Sequence, residues 1–245
     1  MIRLSVNVNK VATLRNSRGG ATPSVIEAVN VCVAAGAPGI TVHPRADARH
    51  ITAADVREIA DLLAPLRSRV EFNIEGDPRE DLLSLVRAVK PDQCTLVPVQ
   101  PGEITSQAGW SSDTPRAQIE RAVSDLRRDG IRVSLFVDAE EQPIRWAAEV
   151  GANRIELYTE PFARACRHDE GRARRSFDTY ARAATLAHAL GLGVNAGHDL
   201  DLDNLVLFRG LPHLDEVSIG HALLSHALIV GLAQSVREYL HVLAA

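Results

Sequence analysis

The stretch GITVHPRADARHITAADVREIADLLAPL, residues 39–66, holds one complete strand-to-helix unit. Ile40, Thr41 and Val42 follow a glycine and suit a pleated strand, because two of the three are apolar and all are β-branched. From Thr52 the period turns helical. Thr52 can cap a helix, and Ala53, Ala54 and Asp55 continue it. The exit between the two places His43, Arg45, Arg49 and His50 within eight positions. Packing does not call for two histidines and two arginines at the end of a strand.

The same alternation fills the chain. Strands are predicted at 4–9, 39–44, 70–76, 93–99, 132–138, 154–159, 193–198 and 216–221. Helices are predicted at 22–36, 52–66, 79–89, 113–129, 141–150, 177–190, 203–209 and 222–244. Thr22-Pro23 reads as a cap with proline at the first helical position, and Gly36, Gly130, Gly151 and Gly191 stand where helices should stop. Eight alternations in 245 residues, with no linker or composition shift, predict a single (β/α)₈ TIM barrel domain over 1–245. An open doubly wound sheet is the structural alternative. Two connections are long, Val99–Ser112 and the charge-rich Glu160–Ser176, and Pro98–Trp110, largely in the first, is expected to close over the rim as a lid.

An apolar fraction of 46% supports a real core, and a net charge of −4 with both signs dispersed gives no reason to expect nucleic acid. Local basic clusters still allow small anions. Cys32, Cys94 and Cys166 are odd in number and irregular in spacing, so neither a disulfide framework nor a zinc pattern is expected; Cys32 and Cys94 read as buried free thiols. Residues 1–9 already read as a strand, leaving no room for a signal peptide, and no apolar run approaches the roughly 18 residues of a membrane helix. A cytoplasmic location without a membrane partner is expected.

A barrel of this type carries its chemistry at the carboxyl ends of its strands. The polar residues cluster there: Asn7 and Asn9, His43 and Arg45, Glu75, Asp138, Glu156 and Tyr158, Asn195 and His198, then Gly220-His221. The upstream halves read as mostly Val, Ile and Leu. Blander roles exist for some, since Glu156 could pair with an arginine and Asp138 could cap the helix at 141–150. His168, His188, His213, His226 and His241 fall on helices or loops and read as surface residues. Ile219-Gly220-His221 enters the last helix through glycine, a geometry that suits phosphate. Arg15, Arg18, Arg45 and His50 supply charge for a second anionic group.

These residues sit in motifs that resemble the pyridoxine 5'-phosphate synthase family of vitamin B6 biosynthesis. The motifs are VATLRNSRGG (11–20), GITVHPRADARHI (39–51), FNIEG (72–76), VSLFVDAE (133–140), IELYTEP (155–161), VNAGHDL (194–200) and VSIGHALLSHA (217–227). The resemblance runs nearly end to end. It implies a (β/α)₈ barrel, octameric assembly, no metal or organic cofactor, and condensation of 3-amino-2-oxopropyl phosphate with 1-deoxy-D-xylulose 5-phosphate. By motif, His43, Glu75 and His198 are implied as catalytic, and Glu156 as assisting the transition state. Asn7, Arg18, Gly220 and His221 would hold the aminoketone phosphate; Asn9, Lys10, Arg45, His50 and Thr105 would meet the sugar phosphate. Arg49 receives no task and reads as solvated.

The chain departs from the better-known members at three places. Asn9-Lys10 replaces Asp-His, Val99-Gln100-Pro101 replaces Glu-Lys-Arg, and Asp199, at a position expected to bind substrate, replaces Gly. These mark a variant branch. A metal-dependent isomerase or lyase, with Glu75, Asp138, Glu156 and His198 around a divalent cation, is a second reading of the residues; a non-catalytic phosphate sensor is a third.

Overall fold

The computed structural model describes residues 1–99 and 108–245. Eight parallel strands close into a barrel in sequence order: β1 (Arg3–Asn7), β2 (Gly39–Val42), β3 (Glu71–Gly76), β4 (Gln93–Leu96), β5 (Arg132–Val137), β6 (Arg154–Tyr158), β7 (Gly193–Gly197) and β8 (Leu214–Ile219). Val6 pairs with Ile40 on one side and with Ile219 on the other, which closes the ring and sets the open sheet aside. The helices are α1 (Asn9–Asn16), α2 (Val25–Ala34), α3 (Ala53–Leu63), α4 (Glu80–Val89), α5 (Arg116–Arg128), α6 (Glu141–Glu149), α7 (Glu160–Cys166), α8 (Glu170–Ala189), α9 (Leu202–Phe208), α10 (His221–Val230) and α11 (Leu232–Ala244). Among the described residues no helix is long and apolar enough to cross a membrane. Thr105 and most of the expected lid lie outside the described residues.

Strand residues alternate. Leu4, Val6, Ile40, Val42, Phe72, Ile74, Cys94, Leu96, Val133 and Leu135 are buried in the main core, against the helices. Each such burial stabilises by about 1.5–3 kcal/mol. Cys32 and Cys94 are buried free thiols. The other face of each strand lines the barrel, and it is polar. Ser5 and Thr41 share a hydrogen bond of 2.7 Å, Asn73 donates to Thr41 at 3.3 Å, and Thr95 donates to Asn73 at 3.1 Å. One layer below, Arg132 donates to Glu71 at 2.7 Å and to Gln93 at 2.9 Å, and Arg154 donates to Asn195 at 2.8 Å. The expectation of apolar upstream strand halves therefore holds only for the outward positions. Asn195 belongs to this lower network, not to the rim.

Four boundaries differ from expectation. Ser24 caps α2 by accepting from Glu27 N–H at 3.2 Å, so Thr22 is no cap and Pro23 precedes the helix. β1 stops at Asn7, and Asn9 already opens α1. Glu160–Ser176 is not a loop: it carries α7 and the first turns of α8, whose cap Asp169 accepts from Arg172 N–H at 2.8 Å. The last predicted helix is two, divided at Gly231 with a φ of +87°.

Candidate active site

Asn7 at the end of β1 and Asn9 at the start of α1 organise the centre. Asn7 Oδ1 accepts from Asn9 N–H at 3.1 Å, and Asn7 Nδ2 donates to Glu75 Oε2 at 3.4 Å. Asn9 Oδ1 accepts from His43 N–H at 2.9 Å. His43 Nδ1 then lies 4.0 Å from Glu75 Oε2. Its Nε2 is buried and finds no hydrogen-bond partner among the described residues. Burial holds the His43 imidazole well below its ordinary pKa; the neighbouring imidazole of His50, when protonated, and the guanidinium charges of Arg45 and Arg79 push it the same way. Burial also pushes the Glu75 carboxyl up to about 8, aided by charge on Glu216 and opposed by a hydrogen bond from Ser218. A neutral imidazole thus faces a carboxyl that titrates near neutrality. That pair can accept and deliver protons without carrying a fixed charge.

Glu156 stands on the same inward face. A Cβ on Gly197 would lie 2.2 Å from Glu156 Oε1, so the carboxyl lies across that glycine. Burial raises the Glu156 pKa, the carboxylates of Glu75 and Glu216 raise it further, and a hydrogen bond from Thr95 opposes them. Beyond Gly197 the chain turns sharply. His198 and Asp199 take φ values of +80° and +59°, each costing about 1–3 kcal/mol in a non-glycine residue. Thr159 holds this turn, donating its hydroxyl to Gly197 O at 2.7 Å and to His198 O, while Asn204 donates to Asp199 O at 3.0 Å. Burial lowers the His198 pKa; Asp199 opposes this and Lys10 adds to it. Among the described residues no group of three or more His, Cys, Asp or Glu is arranged to hold a metal ion. Glu75, Asp138, Glu156 and His198 do not converge as a donor set.

Residues 4–245 match the family described as pyridoxal phosphate biosynthesis protein PdxJ. The chain belongs to this family. It is 49% identical to the pyridoxine 5'-phosphate synthase of Leptospira biflexa, covering 100% of this chain and 98% of that protein. It is likewise 49% identical to the pyridoxine 5'-phosphate synthase of Porphyromonas gingivalis, with 98% of each covered. Solved structures share the fold at low identity. Thiamine phosphate pyrophosphorylase from Pyrococcus furiosus aligns with a TM-score of 0.60 at 14% identity, covering 99% of this chain and 96% of that one. Phosphoribosyl anthranilate isomerase from Thermus thermophilus aligns at 0.59 and 16%, covering 99% and 98%.

Within this PdxJ barrel the remaining expected residues fall in two groups. Asn7 and Gly220 are neighbours, since a Cβ on Gly220 would sit 3.1 Å from Asn7 Cβ; His221 is the exposed first residue of α10. Arg18 is exposed in the turn after α1. On the other side lie buried Arg45 and His50 and exposed Lys10. His50 differs from expectation. Its Nδ1 accepts from Ile51 N–H at 2.9 Å, which leaves the proton on Nε2, and burial beside Arg45 and Lys10 lowers its pKa to about 4. It offers a neutral donor, not a charge. Arg15 is paired within the protein: it donates to Asp55 Oδ2 at 2.9 Å and Oδ1 at 2.5 Å, and to His50 O at 3.4 Å. Arg49 is paired with Asp47 at 2.8 Å. Asp138 caps nothing; its Oδ2 accepts from Gly109 N–H at 3.3 Å, and burial raises its pKa.

Sequence reasoning missed Glu216. It is buried, accepts from Asn195 at 3.3 Å, and is pushed up to about 7 by burial. A period of two was the available signal, because it places Glu216, Ser218 and Gly220 on one face.

Proposed function

We propose that this chain is a pyridoxine 5'-phosphate synthase, joining 3-amino-2-oxopropyl phosphate to 1-deoxy-D-xylulose 5-phosphate and releasing pyridoxine 5'-phosphate, inorganic phosphate and water. The observation that carries the reading is the neutral His43 imidazole 4.0 Å from the high-pKa carboxyl of Glu75, at the carboxyl rim of a barrel of this family.

Each step of such a condensation moves a proton. The amine adds to the ketone, water leaves, phosphate is eliminated, and the ring closes. Glu75 is protonated below about pH 8 and can donate to a departing oxygen. His43, neutral, can take a proton from carbon or nitrogen, and His198 can do the same from across the mouth. Glu156, uncharged behind them, lets positive charge develop on an iminium and can then ionise to stabilise it. No lysine nucleophile is needed, because the aminoketone brings its own amine. Asn7, Arg18, Gly220 and His221 hold the aminoketone phosphate. Asn9 through its amide NH₂, with Lys10, Arg45, His50 and Thr105, holds the sugar phosphate, and Asp199 borders the site. The protein works in the cytoplasm as a homo-octamer.

The test is incubation of the purified protein with both substrates, read by mass spectrometry for pyridoxine 5'-phosphate and by an assay for released phosphate. Absence of both products under conditions where the protein is folded would refute the proposal.

A further inference from the structure

The roles above use the imidazole of His198 but give none to the two rings beside it. Phe136 of β5 and Tyr158 of β6 have centroids 5.1 and 5.3 Å from that imidazole, and 5.4 Å from each other. Tyr158 meets it nearly edge-on at 80°, Phe136 at 49°. With Val97 these two rings form an apolar cluster separate from the main core. Phe136 shares the inward face of β5 with Ser134, and Tyr158 that of β6 with Glu156. They are an apolar wall on a polar lumen, and the main core does not include them.

The backbone alone does not fix the imidazole. Thr159 and Asn204 hold the turn, which sets where Cβ projects. The second side-chain torsion of histidine is broad and roughly two-fold, so the ring plane stays free. Active-site histidines are commonly oriented by a hydrogen bond from the second ring nitrogen. Among the described residues the His198 ring makes no such bond. Aromatic contacts on two sides supply the missing constraint, since ring pairs at these separations favour defined tilts. The backbone that carries the two rings is itself anchored: the Tyr180 hydroxyl donates to the Tyr158 carbonyl at 2.5 Å, and the Trp110 backbone N–H donates to the Phe136 carbonyl at 2.8 Å.

We infer that Phe136 and Tyr158 are positioning residues for His198, fixing its ring plane over the barrel mouth and keeping water from its sides. The inference rests on the reading that His198 carries protons in the synthase reaction. The charged groups that act on His198 are Lys10 from α1 and Asp199 in its own turn, and the titratable group is the neutral His43 across the mouth. Glu160, Asp199 and Asp138 act on the Tyr158 phenol from one sign and Arg164 from the other. None of these charges changes when a ring is replaced by leucine, so a shift in the titration of His198 reports the ring.

The experiment uses the full chain with Tyr158→Phe, Tyr158→Leu and Phe136→Leu, measuring kcat and KM for both substrates across pH. Tyr158→Phe should match the parent, because the ring and not the hydroxyl acts. The two leucine variants should lose roughly ten- to a hundred-fold in kcat with KM nearly unchanged, as expected for a misplaced catalytic group. The acid limb of their kcat profiles should also move to higher pH as water reaches the imidazole. An unmoved acid limb with unchanged kcat, or equal losses in Tyr158→Phe and Tyr158→Leu, would overturn the proposal. A measurement on the parent protein needs no variant to fold. Histidine ring signals assigned to His198, by their loss in His198→Gln, should be shifted by ring currents and should titrate below the ordinary range. Unshifted signals with an ordinary midpoint would also overturn it. Should the parent make no pyridoxine 5'-phosphate, the functional reading fails, while the ring signals still decide the clamp.

Discussion

At the scale of single residues, Glu75 sets function against stability. Its carboxyl keeps a proton in the folded protein up to about pH 8, whereas an unfolded glutamate loses it near 4.5. Between those values the unfolded state binds fewer protons than the folded one, so this group makes the protein less stable as pH rises through the window. Glu75→Gln removes the ionisable group. Its thermal midpoint should match the parent at pH 4.5 and exceed it increasingly toward pH 8, by about 2–4 °C per kcal/mol in a domain of this size. Turnover should fall about 10²–10⁴-fold. Calorimetry at the two pH values, with product assays, checks both; a constant difference in midpoint would mean that Glu75 is ionised in the fold. Lys10 poses a different question. It lies in the first turn of α1, exposed, and its charge is felt at both His50 and His198. A fixed cation there suits the sugar phosphate. Lys10→Ala should weaken use of the sugar phosphate about ten- to a hundred-fold, the equivalent of roughly 1.5–3 kcal/mol, and leave the aminoketone phosphate nearly unaffected. Lys10→Arg should recover part of the loss. Equal effects on the two KM values would remove Lys10 from the sugar-phosphate site.

At the scale of elements, the junction from β2 to α3 shows how a helix cap supports a binding site. Thr52 Oγ1 accepts from Asp55 N–H at 3.2 Å, and Asp55 Oδ2 accepts from Thr52 N–H at 2.8 Å. The same carboxylate binds Arg15, which reaches His50 O. One buried aspartate thus ties α1, α3 and the His50 segment together. Thr52→Ala should cost about 1 kcal/mol, the usual loss of a cap. Asp55→Ala should cost more, about 3–5 kcal/mol, because it also strands Arg15. Denaturant titration would separate the two, and similar values would mean that the ion pair contributes little. The Thr52 cap of α3 was legible, though not its reciprocal partner Asp55, and the strands were legible because outward positions alternate with polar ones over each β segment. What stayed hidden has physical causes. α1 is rich in Asn, Arg and Lys and the start of α8 in Arg, each with few large apolar residues, so their helical period is faint. Gly231 lies inside one unbroken run rich in helix-compatible apolar residues, and its positive φ divides α10 from α11. Commitments between side chains, such as Arg15 to Asp55 or Asn9 to the His43 backbone, depend on contacts 34 to 40 positions apart, which no local pattern reports.

At the scale of the whole molecule, one surface suits contact with a second copy of the chain. The end of α10 exposes Leu228 at 78% and Ile229 at 86%, with Val230 beside them. α1 packs against α10 and exposes Leu14 at 54%. Other exposed apolar side chains, Val31 on α2 and Val206 on α9, stand singly, as they do on most proteins. Two adjacent aliphatic residues left this bare, with a third nearby, cost free energy in water that a neighbouring copy would recover, at about 25 cal/mol per Å² covered. Position adds to the case. α10 begins at His221 beside the proposed aminoketone phosphate site, and α1 carries Lys10 near its start. An interface over these two helices would stiffen the elements that hold both phosphates, coupling the proposed octamer to the site without any new catalytic group. Leu228→Glu combined with Ile229→Glu places two like charges on the patch and should split the assembly into smaller species, read by sedimentation velocity. Both positions are exposed, so the protomer should stay folded by circular dichroism. KM for the aminoketone phosphate should rise more than kcat falls, since α10 loses its support while His43, Glu75 and His198 keep theirs. An unchanged sedimentation coefficient would move the interface to another face. Dissociation with unchanged KM would show that assembly and binding are independent.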